Sequence, residues 1–293
     1  MRMLVLGADS SVGSSLLSLA ESVGVDCCGT TRKRFTEKSR IHLDLLDRET
    51  WKESFLWKPS VVVGCFAVSN LKECEENPSS RLINVDSICE LLDCFGDAGA
   101  QIVLLSTNSV FGGERALCVE DDPVSPQLAY SCQKAEAEAR FLCAAARRGN
   151  SKRAAIVRLT RVLTPSVAPF SSWSKALSDG KTIEAFRDFI FSPVSCGYVA
   201  RSLLRVAESQ EGGIFHLSGA EDLSYFEFAE LLAQYFRRGN VQATDSAGSG
   251  VSLLFKPTHS ALGMQRTQRL LGIAPQTPSS VISELAQEWL LAA

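Results

Sequence analysis

The chain has 293 residues, 45% hydrophobic and 22% charged, with a formal net charge of −3. That balance describes one large globular domain or two coupled ones, and it excludes binding to nucleic acid or an anionic membrane by bulk electrostatics. No apolar run reaches the ~18 residues of a membrane span, and "MRMLVLGADSSVGSS" turns polar too soon for a secretory leader.

The first half alternates strand and helix patterns. "RMLVLG" reads as a buried strand, "SSVGSSLLSLAESVG" as an amphipathic helix and "VDCCGTT" as a second strand. "DRETWKESFLWKP" is a short helix with Asp47 as its N-cap, and "SVVVGCFA" is a third strand. "NPSSRLINVDSICELLDCFGDAG" predicts a long helix, "QIVLLST" a fourth strand, Leu128 to Arg148 another helix, and "RAAIVRLT" a further strand. Strands apolar on both faces, set between amphipathic helices, predict an α/β fold: a Rossmann-type, doubly wound parallel sheet.

Past Thr164 the pattern loosens. "TPSVAPFSSWSKALSDG" reads as loop then helix; "RDFIFSPVSCGYVARSLLRVAES" as short strand, turn at Pro193 and helix; "GIFHLSG" as strand. "LSYFEFAELLAQYF" carries a capping box, Ser224 with Glu227, and "ATDSAGSG" reads as a flexible loop. The tail helix presents Val281, Leu285 and Leu290 for packing. This divides the chain into a dinucleotide-binding domain at 1–160, with a return segment near 187–215, and a smaller, partly interleaved substrate-binding domain, mainly 161–293.

The ten cysteines form no C-x-x-C pair, and with three histidines they offer no zinc spacing. Cys27, Cys65, Cys89, Cys94 and Cys143 fall in apolar patterns, where a thiol behaves as a small hydrophobe. A reduced, cytoplasmic protein without a metal is expected.

Chemistry concentrates at strand ends. "GADSSVG" sets Gly7 and Gly13 six apart between strand and helix, where a dinucleotide fold aims helix N–H groups at a pyrophosphate. Asp9 and Ser10 stand between them; Ser10 and Ser11 can donate to phosphate, whereas Asp9 is unhelpful if it points inward. The second strand ends in "GTTRKR", and Arg32 there suits a 2′-phosphate, favouring NADP(H) over NAD(H). Asp44, after "HL", either accepts from an adenine amino group or closes a surface turn. Tyr130 and Lys134 are four apart on one helical face, so the ammonium is expected to lower the phenol's pKa from ~10 and fit it for proton transfer. Ser106 and Thr107 end the preceding strand with hydroxyls to hold a substrate oxygen.

Other candidates admit two readings. Arg158 pairs with a substrate phosphate or with a carboxylate, and Arg187 with Asp188 is a substrate contact or a turn pair. Lys256 and His259 reach a diphosphate or lie on a solvated face, Trp173 is a lid or a surface aromatic, and His216 reads as a packed strand residue.

In order along the chain, "MLVLGADSSVG", "NLKECEENPSSRLINVDS", "LLSTNSVFGG", "SPQLAYSCQKAEAE", "IVRLTRVL", "RDFIFSPVS", "GIFHLSGAEDLSYFEFAELL" and "KPTHSALG" resemble the extended short-chain dehydrogenase/reductases, in their dTDP-4-dehydrorhamnose reductase-like branch. The resemblance implies an NAD(P)H-dependent reductase of a keto group on a nucleotide-activated sugar, with Tyr130, Lys134 and Thr107 catalytic. It implies a cofactor site of Gly7, Ser10, Ser11, Val12, Gly13, Arg32, Asp44, Leu45, Ala67 and Asn84, and substrate contacts at Asn108, Arg158 and Arg187. Glu138 matches the family pattern as well. A nucleotide-sugar epimerase and a non-catalytic NADP-binding regulatory protein are the alternatives on this scaffold, and a homodimer is compatible with it. The chain departs from the family pattern at Ser10, Gly64, Asn108, Ser109 and Ser131.

Overall fold

The computed structural model describes residues 1–34, 40–247 and 254–292, with side chains up to 289. Seven strands form one parallel sheet: β1 (Arg2–Leu6), β2 (Asp26–Thr31), β3 (Arg40–His42), β4 (Val61–Gly64), β5 (Gln101–Thr107), β6 (Ala154–Leu159) and, much later, β11 (Gly213–Leu217). Shorter strands β7 (Arg161–Leu163), β8 (Thr182–Phe186), β9 (Ile190–Phe191), β10 (Pro193–Ser195), β12 (Leu223–Ser224) and β13 (Asn240–Thr244) pair β7 with β10, β9 with β12, and β8 with β13. The helices are α1 (Ser11–Ser22), α2 (Lys52–Leu56), α3 (Leu71–Glu76), α4 (Ile88–Asp97), α5 (Ala129–Arg147), α6 (Phe170–Ser178), α7 (Cys196–Ser209), α8 (Tyr225–Phe236), α9 (Gln265–Leu271) and α10 (Pro278–Ala292). No helix among the described residues is long and apolar enough to cross a membrane.

The large sheet runs β11-β6-β5-β4-β1-β2-β3. Its inner strands are buried on both faces, which is why they read as unbroken apolar runs. Alternate residues serve opposite layers. Met3 and Val5 pack with Leu16 and Leu17 of α1 and Val199 and Leu203 of α7. Leu4 and Leu6 pack with Leu91 and Phe95 of α4 and Phe141 of α5. The chain moves outward from β1 to β3, then returns to place β4 on the other side of β1. That reversal opens a crevice above the carboxyl ends of β1 and β4.

A second core gathers Phe170, Trp173, Phe191, Phe228, Leu232, Val281 and Leu285. Phe170 is its hub, with ring centroids 5.3 Å from Tyr225, 5.4 Å from Phe228 and 5.6 Å from Phe191. Trp173 lies inside this core, edge-on to Phe170, and is neither a lid nor a surface aromatic. The tail-helix stripe packs here through Val281 and Leu285, while the Leu290 side chain lies outside the described residues.

Several local expectations change. Pro193 opens β10, pairing in parallel with Arg161, instead of making a turn. The segment read as a loop at 243–250 begins as strand β13 through Thr244, and residues 248–250 lie outside the described ones. The long helix before Ala98 is α4 preceded by a wide π turn at Leu82–Ser87, and α3 is a separate short helix capped by Asn70. Asp47 does cap its helix, accepting from the Glu49 N–H, and the Ser224–Glu227 capping box is formed on both sides.

Candidate active site

A cleft of about 850 Å³ opens over the carboxyl ends of the strands, between the sheet and the second core. Gly7 turns the chain out of β1 at φ 76°, and a Cβ there would lie 2.6 Å from the Phe66 Cβ. Gly13 does not line the cleft; it lets α1 pass under the turn, since its Cβ would sit 2.4 Å from the Gly7 carbonyl oxygen. Ser10 folds back as the N-cap of α1, donating to the Gly7 carbonyl at 2.8 Å and accepting from the Gly13 N–H at 3.1 Å. Its side chain is thereby held in the turn. Ser11 and Val12 follow at the helix start and line the cleft.

Asp9 leans sideways to the end of β2. Its carboxylate accepts from Thr31 Oγ1 at 2.5 Å and stands 3.8 Å from Arg40 Nη1. Arg32 is exposed beside it on the cleft rim. Asp44 and Leu45 line the same end; Asp44 also closes a turn, accepting from the Leu46 N–H at 3.0 Å. Ala67 and Val68 line the middle. Asn84 is buried behind them, outside the lining. Its amide clamps Val68, accepting from the N–H at 2.8 Å and donating to the carbonyl at 2.9 Å, and it also donates to Gln133 Oε1 at 2.7 Å. A direct cofactor contact by Asn84 is therefore replaced by a loop-shaping role.

The floor brings together Thr107 from the end of β5 and Tyr130 and Lys134 from α5. Lys134 Nζ donates to the Leu105 carbonyl at 2.6 Å. Desolvation pushes Lys134 down to about 8 despite the nearby Glu138 carboxylate, and pushes Tyr130 up to about 12. This reverses the expected acidification of the phenol: crowding by neighbouring protein sets the direction, while the Lys134 ammonium is turned onto the Leu105 carbonyl. Thr107 Oγ1 accepts from the Ser109 N–H at 3.2 Å and lies 3.1 Å from Ser109 Oγ, which in turn accepts from Ser131 Oγ at 2.7 Å. Two positions that depart from the family pattern, Ser109 and Ser131, thus bond to each other behind Thr107. Asn108 lines the cleft and ties β5 to a distant segment through 3.0 Å hydrogen bonds from its amide to the Ser260 carbonyl and Oγ.

Arg158 does not reach the cleft. It is 3% exposed and forks onto Glu138 of α5, with Nη2 to Oε2 at 2.7 Å. Of its two readings, the carboxylate partner holds. His216 lies beside it, fully buried, with Nδ1 donating to the Gly263 carbonyl at 2.9 Å and Nε2 facing Arg158 Nη1 at 3.4 Å. Burial and the guanidinium push this imidazole down to about 4, so it is a neutral packed residue. Arg187 also lies outside the cleft lining, paired with Asp245 at 2.6 Å on the surface. Lys256 is bound to Asp188 at 2.6 Å and His259 to Asp222 at 3.1 Å.

The wall facing the sheet contains a cation that the sequence reading passed over. Arg161 is exposed on β7, lines the cleft, and stands with Tyr225, Phe189 and Phe255. Its signal was its position three residues after Arg158 in "VRLTRVL", two residues past the carboxyl end of β6. No group of His, Cys, Asp and Glu among the described residues could hold a metal ion. The glycine turn, the start of α1, the β2 end and Lys134 do line one continuous space, which fits a dinucleotide laid across the strand ends.

The family model described as RmlD substrate binding domain matches residues 1–290. A dTDP-4-dehydrorhamnose reductase of Aggregatibacter actinomycetemcomitans is 25% identical over 293 residues, covering 94% of each protein. Among solved structures, the dTDP-4-dehydrorhamnose reductase of Bacillus anthracis in complex with NADP is 19% identical with a TM-score of 0.82, covering 98% of each chain. MoeE5 in complex with UDP-glucuronic acid and NAD is 20% identical with a TM-score of 0.82, covering 100% of each chain. The two structures share the fold described above. With its model matched almost end to end, the chain belongs to the RmlD substrate-binding domain family.

Proposed function

We propose that the protein is an NADP(H)-dependent reductase of a keto group on a nucleotide-activated sugar. The observation that carries this is the convergence of Tyr130, Lys134 and Thr107 on the floor of the cleft that Gly7 opens. In this reading residues 1–160, with the return segment, hold the cofactor, and the substrate is held mainly by residues beyond 160. The named relatives support the chemistry: one is a reductase of a dTDP-keto sugar, and the structural neighbours hold NADP or a UDP-sugar with NAD.

The cofactor would supply the hydride, held by the Ser11 and Val12 end of α1 and by Arg32 at the β2 rim. Arg32 is the feature that favours NADP(H). Tyr130, kept protonated by burial, donates its phenolic proton to the carbonyl oxygen. Lys134, anchored on the Leu105 carbonyl, stabilises the phenolate left behind. Thr107 Oγ1 accepts from the Ser109 N–H, and its own proton, which faces Asn108 Oδ1 at a long 3.5 Å, would turn to hold the substrate oxygen. A neutral phenol suits reduction, since oxidation would begin from phenolate.

The test offers dTDP- and UDP-linked keto sugars with NADPH and follows loss of NADPH absorbance. Turnover on at least one, abolished in Tyr130→Phe, is the expected result. NADPH binding without oxidation of any of these substrates would leave a binding protein in place of an enzyme.

A further inference from the structure

The end of β2 carries a contradiction that the reductase reading leaves open. Four cations belong to this end: Arg32, Lys33 and Arg34 in sequence, and Arg40 from β3. A carboxylate from another segment stands among them. Asp9, in the turn after β1, accepts from Thr31 Oγ1 and faces Arg40 Nη1 at 3.8 Å. Thr31 Oγ1 also accepts from the Lys33 N–H at 3.1 Å, so the hydroxyl is fixed with its proton toward Asp9. Arg40 Nη1 is buried and makes no hydrogen bond among the described residues. The guanidinium is thus presented to the carboxylate but not saturated by it.

In a doubly wound sheet the carboxyl end of the second strand is where the adenosine ribose of a dinucleotide lies. A ribose 2′-hydroxyl there finds an acceptor in Asp9. A 2′-phosphate carries about −1.5 to −2 charges at neutral pH and meets the same carboxylate as a like charge. We propose that Asp9 sets the cofactor ratio of this protein. It occupies the place at Thr31 and Arg40 that a 2′-phosphate would take, and so holds NADPH affinity below what Arg32 and Arg40 alone would give, while supporting NADH. The inference rests on the cofactor reading above and assigns Asp9 as a specificity-determining residue supplied by the glycine turn instead of by the second strand.

The experiment measures binding of NADPH and NADH, without sugar, by the fluorescence of the reduced nicotinamide. Wild type, Asp9→Asn and Asp9→Ala are compared, with circular dichroism to verify folding. Asp9 has a half-exposed side chain on a turn, so both variants retain the packing of the core. Asp9→Asn keeps the shape and removes the charge, and is expected to tighten NADPH on the order of tenfold with NADH nearly unchanged. Asp9→Ala is expected to give the same gain for NADPH and to weaken NADH a few-fold by removing the acceptor. An unchanged ratio of the two dissociation constants in both folded variants overturns the proposal and leaves the reductase reading intact. Wild type that binds neither nucleotide overturns the cofactor reading and this proposal together.

Discussion

The two walls of the cleft are built in different ways. The wall from Gly7 to Val12 is one uninterrupted strand–turn–helix passage, in which backbone geometry does the shaping. The facing wall is gathered from residues 160–167, 189–191, 225 and 255–260, and side chains shape it. Tyr225 stands 4.6 Å from Phe189 and 4.8 Å from Phe191, on the rim of the Phe170 core. A backbone wall accepts the pyrophosphate of any dinucleotide, because N–H groups and a helix terminus read phosphate and little else, and in the proposal above only the Asp9 side chain on it tells one ribose from another. A side-chain wall can change its ligand by single substitutions. In the proposed function, the first wall therefore sets the reaction class and the second sets the sugar nucleotide.

The floor between them gives the largest effect. Tyr130→Phe is expected to lower kcat by about 10²–10⁴ with the NADPH dissociation constant unchanged. Retained turnover would mean that Tyr130 is not the proton donor and that the floor does not carry the chemistry in this way. Glu138→Ala is expected to cost about 3–5 kcal/mol in urea unfolding, because Arg158 would remain buried and unpaired beneath both walls. Glu138→Gln, which retains an acceptor, is expected to cost less. Arg161→Ala addresses the side-chain wall alone. It is expected to raise KM for the sugar nucleotide about 10–100-fold, the worth of a charge-assisted hydrogen bond to phosphate, with NADPH binding unchanged. An equal loss of NADPH binding would erase the distinction between the walls.

The same contrast explains what was legible in the sequence. The alternation of apolar strands and helices gave the parallel sheet, and consecutive residues gave the Gly7 turn, because both are local patterns. The Tyr130–Lys134 spacing was legible for the same reason: one helix carries both. Partners distant in sequence were not. Nothing near Arg158 says that Glu138, on another element, neutralises it, so its role at the substrate was as plausible as its burial. Arg161 was missed because its exposure depends on β7 leaving the sheet to pair with β10. The phenol's shift was misjudged because sequence shows the ammonium nearby but not the crowding around the ring. Ser109 and Ser131 read as two separate departures, yet they form one hydrogen bond. A double-mutant cycle tests that unity. Ser109→Ala and Ser131→Ala are each expected to reduce kcat by about three- to tenfold, and the double variant by no more than the larger single loss. Additive losses would mean that the two hydroxyls act separately.

The smallest effect concerns the stability of the floor. Burial holds Lys134 near 8, against 10.5 for a free side chain. The folded state therefore carries the full cost of the buried ammonium below about pH 8. Between about pH 8 and 10.5 the unfolded chain binds the proton more tightly than the folded one, so this group's contribution to stability rises with pH across that window. Lys134→Met removes the charge and keeps the length of the side chain. At pH 7 the variant is expected to melt roughly 2–4 °C above wild type while losing turnover, and the gap is expected to narrow as pH approaches 10. Comparing the two proteins at each pH cancels the titration of groups uncoupled to Lys134. The Glu138 carboxylate favours the ammonium, and so reduces the size of the gap without reversing its direction. A variant less stable than wild type at pH 7, with no convergence at higher pH, would show that the hydrogen bond to the Leu105 carbonyl outweighs desolvation. The lysine would then be a structural anchor of the floor as much as a participant in the chemistry above it.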